Sequence, residues 1–295
     1  MRILATGMSG LVGKSLLPAL VSDGYSVARL KTGVAREANE IAWNPLLPVR
    51  AAAVSGFDAV IHLGGESIYG RWTTAKKRRI RDSRVVGTRN LCGALAQAEQ
   101  RPRVLLSASA VGYYGANRPG WLTEQDGPGT DFLGEVAREW EAATEPAVKG
   151  GIRVVLLRLG VVLGRDGGAL AKMLPIFRLG LGGRLSDGKV MFNWIAVDDV
   201  VGAILFLLKN ETVRGPVNLV APNPVSNAEL TQALGGALHR PAVLPVPAFA
   251  VKLLFGSEMA EQTALASYQA KPEVLVKNGY EFKFPKIDEA LGAMV

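Results

Sequence analysis

Ile3-Leu4-Ala5-Thr6-Gly7-Met8-Ser9-Gly10-Leu11-Val12-Gly13 is the stretch from which the fold is read. A short apolar run leads into a glycine turn. Lys14-Ser15-Leu16-Leu17-Pro18-Ala19-Leu20 then reads as a helix. The order is strand, tight turn, helix. Gly7 suits a backbone conformation that a β-carbon opposes. Gly10 lets a pyrophosphate come close to the backbone, and Gly13 lets the helix pack tightly on the strand. The helix N-terminus adds free N–H groups and a partial positive charge. The spacing is G-x-x-G-x-x-G rather than G-x-G-x-x-G. Gly7, Ser9, Gly10, Leu11 and Val12 are the first candidate contacts to a dinucleotide.

Working outward, Gly24-Tyr25-Ser26-Val27-Ala28-Arg29-Leu30 is a second strand. In a dinucleotide fold, an acid at its end would bind the adenosine ribose of NAD. None is present before Glu37, while Arg29, Lys31 and Arg36 are cations. That balance favours NADP(H) over NAD(H), with Lys31 as a contact. Phe57-Asp58-Ala59-Val60-Ile61-His62-Leu63-Gly64-Gly65-Glu66 is an apolar run ending in glycines, as expected of a parallel strand buried on both faces. Leu63, Gly64 and Gly65 lie where a cofactor backbone would pass. His62 reads as a packed, hydrogen-bonded strand residue. A helical segment over Thr73–Glu99, broken or bent in places, leads to the strand Arg103–Gly115. Ser107 and Ser109 sit at its carboxyl end, expected to face the cofactor. A serine there can bond a substrate oxygen. Asp131–Val148 reads as one helix and Ile152–Gly164 as a strand and turn.

Strands alternating with helices argue for an α/β, Rossmann-type doubly wound parallel sheet. Residues 1–164 are expected to form the cofactor domain, with about 190–222 returning to it. Residues 165–295 form a smaller substrate lobe and C-terminal extension, with Met173, Phe177, Phe192 and Trp194 as possible substrate contacts. Ser226 and Glu229 have capping-box spacing.

Composition narrows the classes. The chain has 295 residues, 48% of them hydrophobic, enough for a sizeable core. No window is apolar enough for a membrane span. The opening run holds a glycine turn rather than a cleavage site, so no targeting segment is expected. Cys92 is the only cysteine, which excludes an internal disulfide and fits a reducing, cytoplasmic compartment. His62 and His239 are the only histidines and lie far apart, so no metal site is expected. Part of the net charge of +8 sits in Lys76-Lys77-Arg78-Arg79-Ile80-Arg81-Asp82-Ser83-Arg84. Without interleaved aromatics or a nucleic-acid motif, this run reads as a solvated helix face rather than a nucleic-acid patch.

The landmarks together resemble the extended short-chain dehydrogenase/reductase superfamily, in its nucleotide-sugar epimerase/dehydratase branch. The resemblance rests on the glycine turn, Asp58–Leu63, Gly87-Thr88-Arg89-Asn90-Leu91, Ser107-Ala108-Ser109-Ala110-Val111, Arg158–Gly164 and Trp194–Asp199. Gly65-Glu66, Arg71-Trp72-Thr73, Ser83-Arg84-Val85-Val86-Gly87-Thr88, Trp140-Glu141-Ala142-Ala143 and Phe177–Gly183 are similar to an atypical subfamily of uncertain function, sometimes labelled cell-division inhibitor. The last fifty or so residues look like its C-terminal extension. The resemblance implies NADP(H) binding, adds Glu66, Arg84 and Arg158 to the candidate contacts, and implies an oxidoreductase or epimerase acting on a small, nucleotide-sugar-like substrate. It also implies a possible homodimer through the two long helices.

The superfamily's chemistry uses a Tyr and a Lys four residues later. Aligning Glu141 with the superfamily's glutamate puts Leu133 and Ala137 at those positions. Ser109 aligns with the catalytic serine. Tyr113, Tyr114, Glu135 and Arg138 are the groups that could take over, with Tyr113 the first choice. The alternative is a catalytically silent NADPH-binding sensor or partner-binding protein.

Overall fold

Ile3, Leu4 and Ala5 of β1 (Arg2–Thr6) are fully buried without alternation, because helices cover both faces of this strand. The computed structural model describes residues 1–295. The glycine turn leads into α1 (Leu11–Ser22), and β2 (Ser26–Thr32) and β3 (Glu40–Trp43) extend the sheet to one side. The chain then crosses to β4 (Ala59–His62), α2 (Thr74–Gln97) and β5 (Val104–Ala110) on the other side. β6 (Trp121–Leu122), α3 (Phe132–Ala142), α4 (Glu145–Lys149) and β7 (Arg153–Leu159) follow. Next come β8 (Val161–Gly164), α5 (Gly168–Arg178), β9 (Met191–Phe192), β10 (Trp194–Ala196), α6 (Val197–Lys209) and β11 (Gly215–Leu219).

Seven strands form one parallel sheet in the order β3-β2-β1-β4-β5-β7-β11. The direction of winding reverses between β1 and β4, which is where ligands bind in such sheets. This is the doubly wound α/β fold expected from the alternation. On one face, Leu16 and Leu20 of α1 and Val200, Ala203, Ile204 and Leu207 of α6 close the core. On the other, Leu91, Cys92 and Leu95 of α2 and Ala147 of α4 do so.

The rest of the chain is β12 (Val225–Ser226), α7 (Asn227–Ala237), α8 (Ala248–Phe255), α9 (Ser257–Gln262), β13 (Gln269–Ala270), α10 (Glu273–Lys277) and α11 (Ile287–Met294). The capping box of Ser226 and Glu229 is formed at the start of α7. A second core gathers Leu163, Leu170, Phe177, Trp194, Leu230, Leu234 and Leu291 from β8, α5, β10, α7 and α11.

Three local expectations change. α2 is one unbroken helix over Thr74–Gln97. The helix expected over Asp131–Val148 is two, because Pro146 has no N–H to continue the ladder of α3. The strand read over Ile152–Gly164 divides at Gly160. A β-carbon there would lie 2.7 Å from the Asn193 carbonyl oxygen, so only glycine lets the chain leave β11 and pair with β10. β3 was not legible at all, being four residues in a polar, glycine- and proline-flanked passage.

Two buried polar groups tie this frame together. Asp199, 1% exposed at the start of α6, accepts from the backbone N–H groups of Lys283 and Phe284 at 2.6 and 3.0 Å, and Tyr280 donates to its carbonyl oxygen at 2.9 Å. These bonds fasten the C-terminal segment to the sheet. Asp199→Ala removes the charged acceptor of both N–H groups, and a loss of about 3 kcal/mol is expected in urea unfolding.

His62, at the end of β4, lies between the hydroxyls of Thr6 at 2.7 Å and Thr88 at 2.9 Å. Trp140 Nε1 donates to the same Thr88 oxygen. Burial pushes the imidazole from 6.5 down to about 4. Between those values the unfolded chain holds a proton that the folded chain refuses. Stability is therefore complete above about pH 6.5 and falls as the pH drops towards 4, by about 3 kcal/mol in all. Urea midpoints measured across that range should fall less steeply for His62→Asn.

Candidate functional site

The site is built from the carboxyl ends of β1, β4, β5 and β7. Gly7 has φ +74°, and a β-carbon on it would lie 2.7 Å from the Leu63 carbonyl carbon. One on Gly13 would lie 2.4 Å from the Gly7 oxygen. The turn and the end of β4 thus touch backbone to backbone. Thr6 holds them there: its Oγ1 accepts from the N–H groups of Leu63 at 3.2 Å and Gly64 at 3.0 Å. Gly10 caps α1 with no side-chain bond, and the first turn carries no acid. The N–H groups of Leu11, Val12 and Gly13 have no intrahelical partner. Ser9 and Gly10 are exposed, with Leu11 and Val12 half-buried beside them. A cradle that β-carbons would fill, at an uncapped helix N-terminus, fits a pyrophosphate.

Gly64 and Gly65 continue the floor. A β-carbon on Gly65 would meet the Arg84 guanidinium at 3.3 Å. Arg84 Nη1 donates to the carbonyl oxygens of Glu66 at 2.9 Å and Ile80 at 3.1 Å, and the group lies 5.1 Å from the Trp140 ring centre. Burial lowers the Arg84 guanidinium to about 10, which leaves it charged at neutral pH. The Glu66 carboxylate is engaged by Lys76 at 2.7 Å, which holds it below its usual range.

Beyond β2 and β3 lies an open cavity of about 600 Å³ lined by Thr32, Gly33, Ala42, Trp43, Asn44 and Pro45. It sits at the adenosine end of a dinucleotide fold. Here the electrostatics differ from the sequence expectation. Glu40, buried on β3, takes Lys31 at 3.1 Å and Arg29 at 3.2 Å. Donation from the Arg36 backbone N–H, then Lys31, keeps its carboxyl below the usual range. Lys31 is thus a partner of Glu40 rather than a free cation. The exposed Arg36 guanidinium is the one left without an ion pair. Glu40 escaped notice because strand pairing, not sequence spacing, brings it beside Arg29.

At the other end, Arg158 of β7 and Glu141 of α3 form a buried bidentate pair, with Nε to Oε1 at 2.8 Å and Nη2 to Oε2 at 2.9 Å. Burial opposes the charge on Arg158, but its donation to the Glu141 carboxylate more than offsets that and raises the group. Arg158 Nη1 donates to the Tyr114 hydroxyl at 3.0 Å. Its guanidinium carbon lies 3.6 Å from the Tyr113 ring centre. Arg158 is therefore occupied inside the protein and is not presented to a cofactor.

Ser109 needs a similar correction. It is 2% exposed and its hydroxyl donates a hydrogen bond to Glu141 Oε1 at 2.7 Å. An ionised carboxylate accepts more strongly than a neutral substrate oxygen, so the expected donation to substrate is displaced. Ser109 retains only the capacity to accept. Ser107 is fully buried, with its hydroxyl unpartnered. Tyr113 is half-buried, and Tyr114 belongs to the core with its hydroxyl bonded to Asn218 Oδ1 at 2.8 Å.

Leu133 packs beside Gly112, and Ala137 is buried, so the face that carries Tyr and Lys in the superfamily is apolar here. Glu135 and Arg138 are exposed on the other side of α3 and do not reach the cleft. Phe177 and Trp194 belong to the core of the C-terminal lobe rather than to its surface, while Met173 and Phe192 are half-buried.

The basic run forms the start of α2. Lys76 pairs with Glu66, Lys77 with Glu258, and Arg81 with Glu139. A clasp unnoticed in the sequence joins the loop after β4 to the lobe. Arg71 Nη2 donates to the Leu253 carbonyl oxygen at 2.6 Å, Tyr69 and Phe255 stack edge to face at 5.5 Å, and Lys172 lies over the Tyr69 ring.

The model of the NAD dependent epimerase/dehydratase family matches residues 3–220, and a domain of unknown function, DUF1731, matches residues 246–294. Epimerase family protein Mb2239 of Mycobacterium bovis is 41% identical over 292 residues, covering 98% of this chain and 96% of that protein. The crystal structure of human epimerase family protein SDR39U1 (isoform 2) with NADPH is similar with a TM-score of 0.92 at 33% identity, covering 100% of this chain and 99% of that one. A nucleoside-diphosphate sugar epimerase from Corynebacterium glutamicum gives a TM-score of 0.82 at 34% identity, over 100% of this chain and 59% of that one. The glycine cradle thus sits in a sequence and a fold that are shared from end to end, and the chain belongs to the NAD dependent epimerase/dehydratase family.

Proposed function

We propose that this protein binds NADP(H) and transfers a hydride to or from a small, nucleotide-sugar-like substrate, with Tyr113 managing the proton. The observation that carries the reading is the cradle of Gly7, Gly10 and Gly13 at the bare N-terminus of α1. The pyrophosphate would rest on the N–H groups after Gly10, and the adenosine end would lie over Thr32, Gly33 and Trp43. The human relative crystallised with NADPH supports the choice of cofactor, and the C. glutamicum epimerase supports the substrate class. The single buried Cys92 fits a reducing cytoplasm.

When bound, a nicotinamide supplies or accepts the hydride. The chain has to orient that ring and handle one proton. The face of α3 is apolar, so the proton must come from the β5 end. Arg158 stacked on Tyr113 fixes that ring, and Glu141 fixes Arg158. Ser109 can accept a bond from a substrate hydroxyl but has no proton to give.

The second reading, an NADPH sensor without turnover, is favoured by that same commitment of Ser109 to Glu141. A sensor acts through a partner whose affinity differs between the free and NADPH-bound states. Equal partner binding in both states removes it.

Calorimetric titration of the purified protein should show micromolar NADPH binding with much weaker NADH binding. Arg36→Ala should weaken NADPH about tenfold, one charge-assisted bond, while leaving NADH unchanged. Absence of binding by every dinucleotide would remove the proposal. Once a substrate is found by screening, Tyr113→Phe should lower kcat about a hundredfold or more and leave NADPH affinity within about twofold. Unchanged turnover would return the proton step to another group.

A further inference from the structure

Beside the cleft, the C-terminal lobe carries an apolar surface that the cofactor reading does not use. Residues 182–186 run alongside 244–246: Leu244 N–H donates to the Gly182 carbonyl, Val246 N–H to Arg184, and Ser186 N–H to Val246, at 3.2, 2.8 and 2.9 Å. Pro247 then opens α8. Leu179, Leu181, Val243 and Leu244 on or next to these segments, and Phe249 and Leu254 on α8, are 46% to 78% exposed. Val251 alone of α8 is buried. Soluble surfaces rarely leave so many large apolar side chains together without a partner.

The unpaired charge around the layer has one sign. Arg178, Arg184 and Arg240 flank it, all exposed and none in an ion pair. The acids nearby are already engaged: Glu258 with Lys77, Glu261 with Lys252, and Asp187 beside Lys189. A second copy of the chain would bring these guanidinium groups against their own equivalents if it met the patch face to face. An anionic lipid surface complements both features, accepting the apolar side chains at the acyl boundary and the guanidinium groups among the headgroups.

We propose that this face docks on an anionic bilayer, with α8 lying in the interface. No helix of the protein is long and apolar enough to cross a membrane, and this contact needs none. The clasp of Arg71 to the Leu253 carbonyl links α8 to the loop after β4, the strand that leads into Gly64 and Gly65.

Co-sedimentation of the full chain with vesicles tests this. Binding to phosphatidylcholine mixed with phosphatidylglycerol should exceed binding to phosphatidylcholine alone by at least about tenfold, and should weaken with added salt. The double variant Phe249→Asp, Leu254→Asp should lose that binding while keeping its thermal midpoint and NADPH affinity. Arg178→Gln combined with Arg184→Gln and Arg240→Gln should lose most of the preference for anionic vesicles without adding charge to the apolar layer. No vesicle binding by the wild type, or equal binding by the variants, overturns the proposal. So does a dimer in sedimentation velocity that the Phe249 and Leu254 changes dissociate, because that assigns the face to a second copy.

Discussion

The contact of Gly7 with the Leu63–Gly64 peptide is the constraint on which the rest of the site depends. It joins the two strands at the point where the sheet reverses its winding. Thr6 adds the hydrogen bonds that keep the two backbones in place. With the contact made, α1 starts just beyond the carboxyl end of β1 with its first N–H groups bare, and Gly64 and Gly65 follow β4 beside it. Any side chain at Gly7 would separate the strands by pushing on backbone, which has nowhere to relax in a core with both faces covered. The fit for a dinucleotide pyrophosphate is therefore a consequence of sheet packing, set before any ligand arrives.

A second constraint operates at the far end. The buried Arg158–Glu141 pair lies among Ser109, Tyr113 and Tyr114, and the network continues through Asn218 to Glu124. Glu124 accepts from the Val274 N–H at the start of α10, and Asn218 donates to the Lys271 carbonyl. One polar chain thus runs from the end of β5 to the C-terminal extension. Replacing one partner of such a pair strands a charge, which is costly, although the intact pair need not contribute much net stability. The inward face of α3 at Leu133 and Ala137 is apolar, and the polar organisation of the site lies at β5 and β7.

Much of this was legible from residue order. The apolar runs of β1, β4 and β5, the glycine turn and the helix cap at Ser226 all depend on neighbours within a few residues, where steric and hydrogen-bond rules act directly. So does the missing Tyr and Lys, because a helix places residues four apart on one face. Cations after β2 were also visible, but their availability was not. Glu40 reaches Arg29 and Lys31 only because β3 pairs with β2, and a four-residue strand leaves too little periodicity to be seen.

By itself, then, the sequence determined the winding of the sheet, the phosphate cradle and the family to which the chain belongs, since these rest on local backbone geometry repeated in a recognisable order. Only the tertiary structure decided which polar groups are free. Ser109 gives its one hydrogen bond to Glu141, Arg158 is enclosed, Lys31 pairs with Glu40 and Arg36 is left open. Each outcome joins residues far apart in sequence or on neighbouring strands, and hydrogen-bond competition among such groups is settled by distance and burial, which spacing along a chain does not encode.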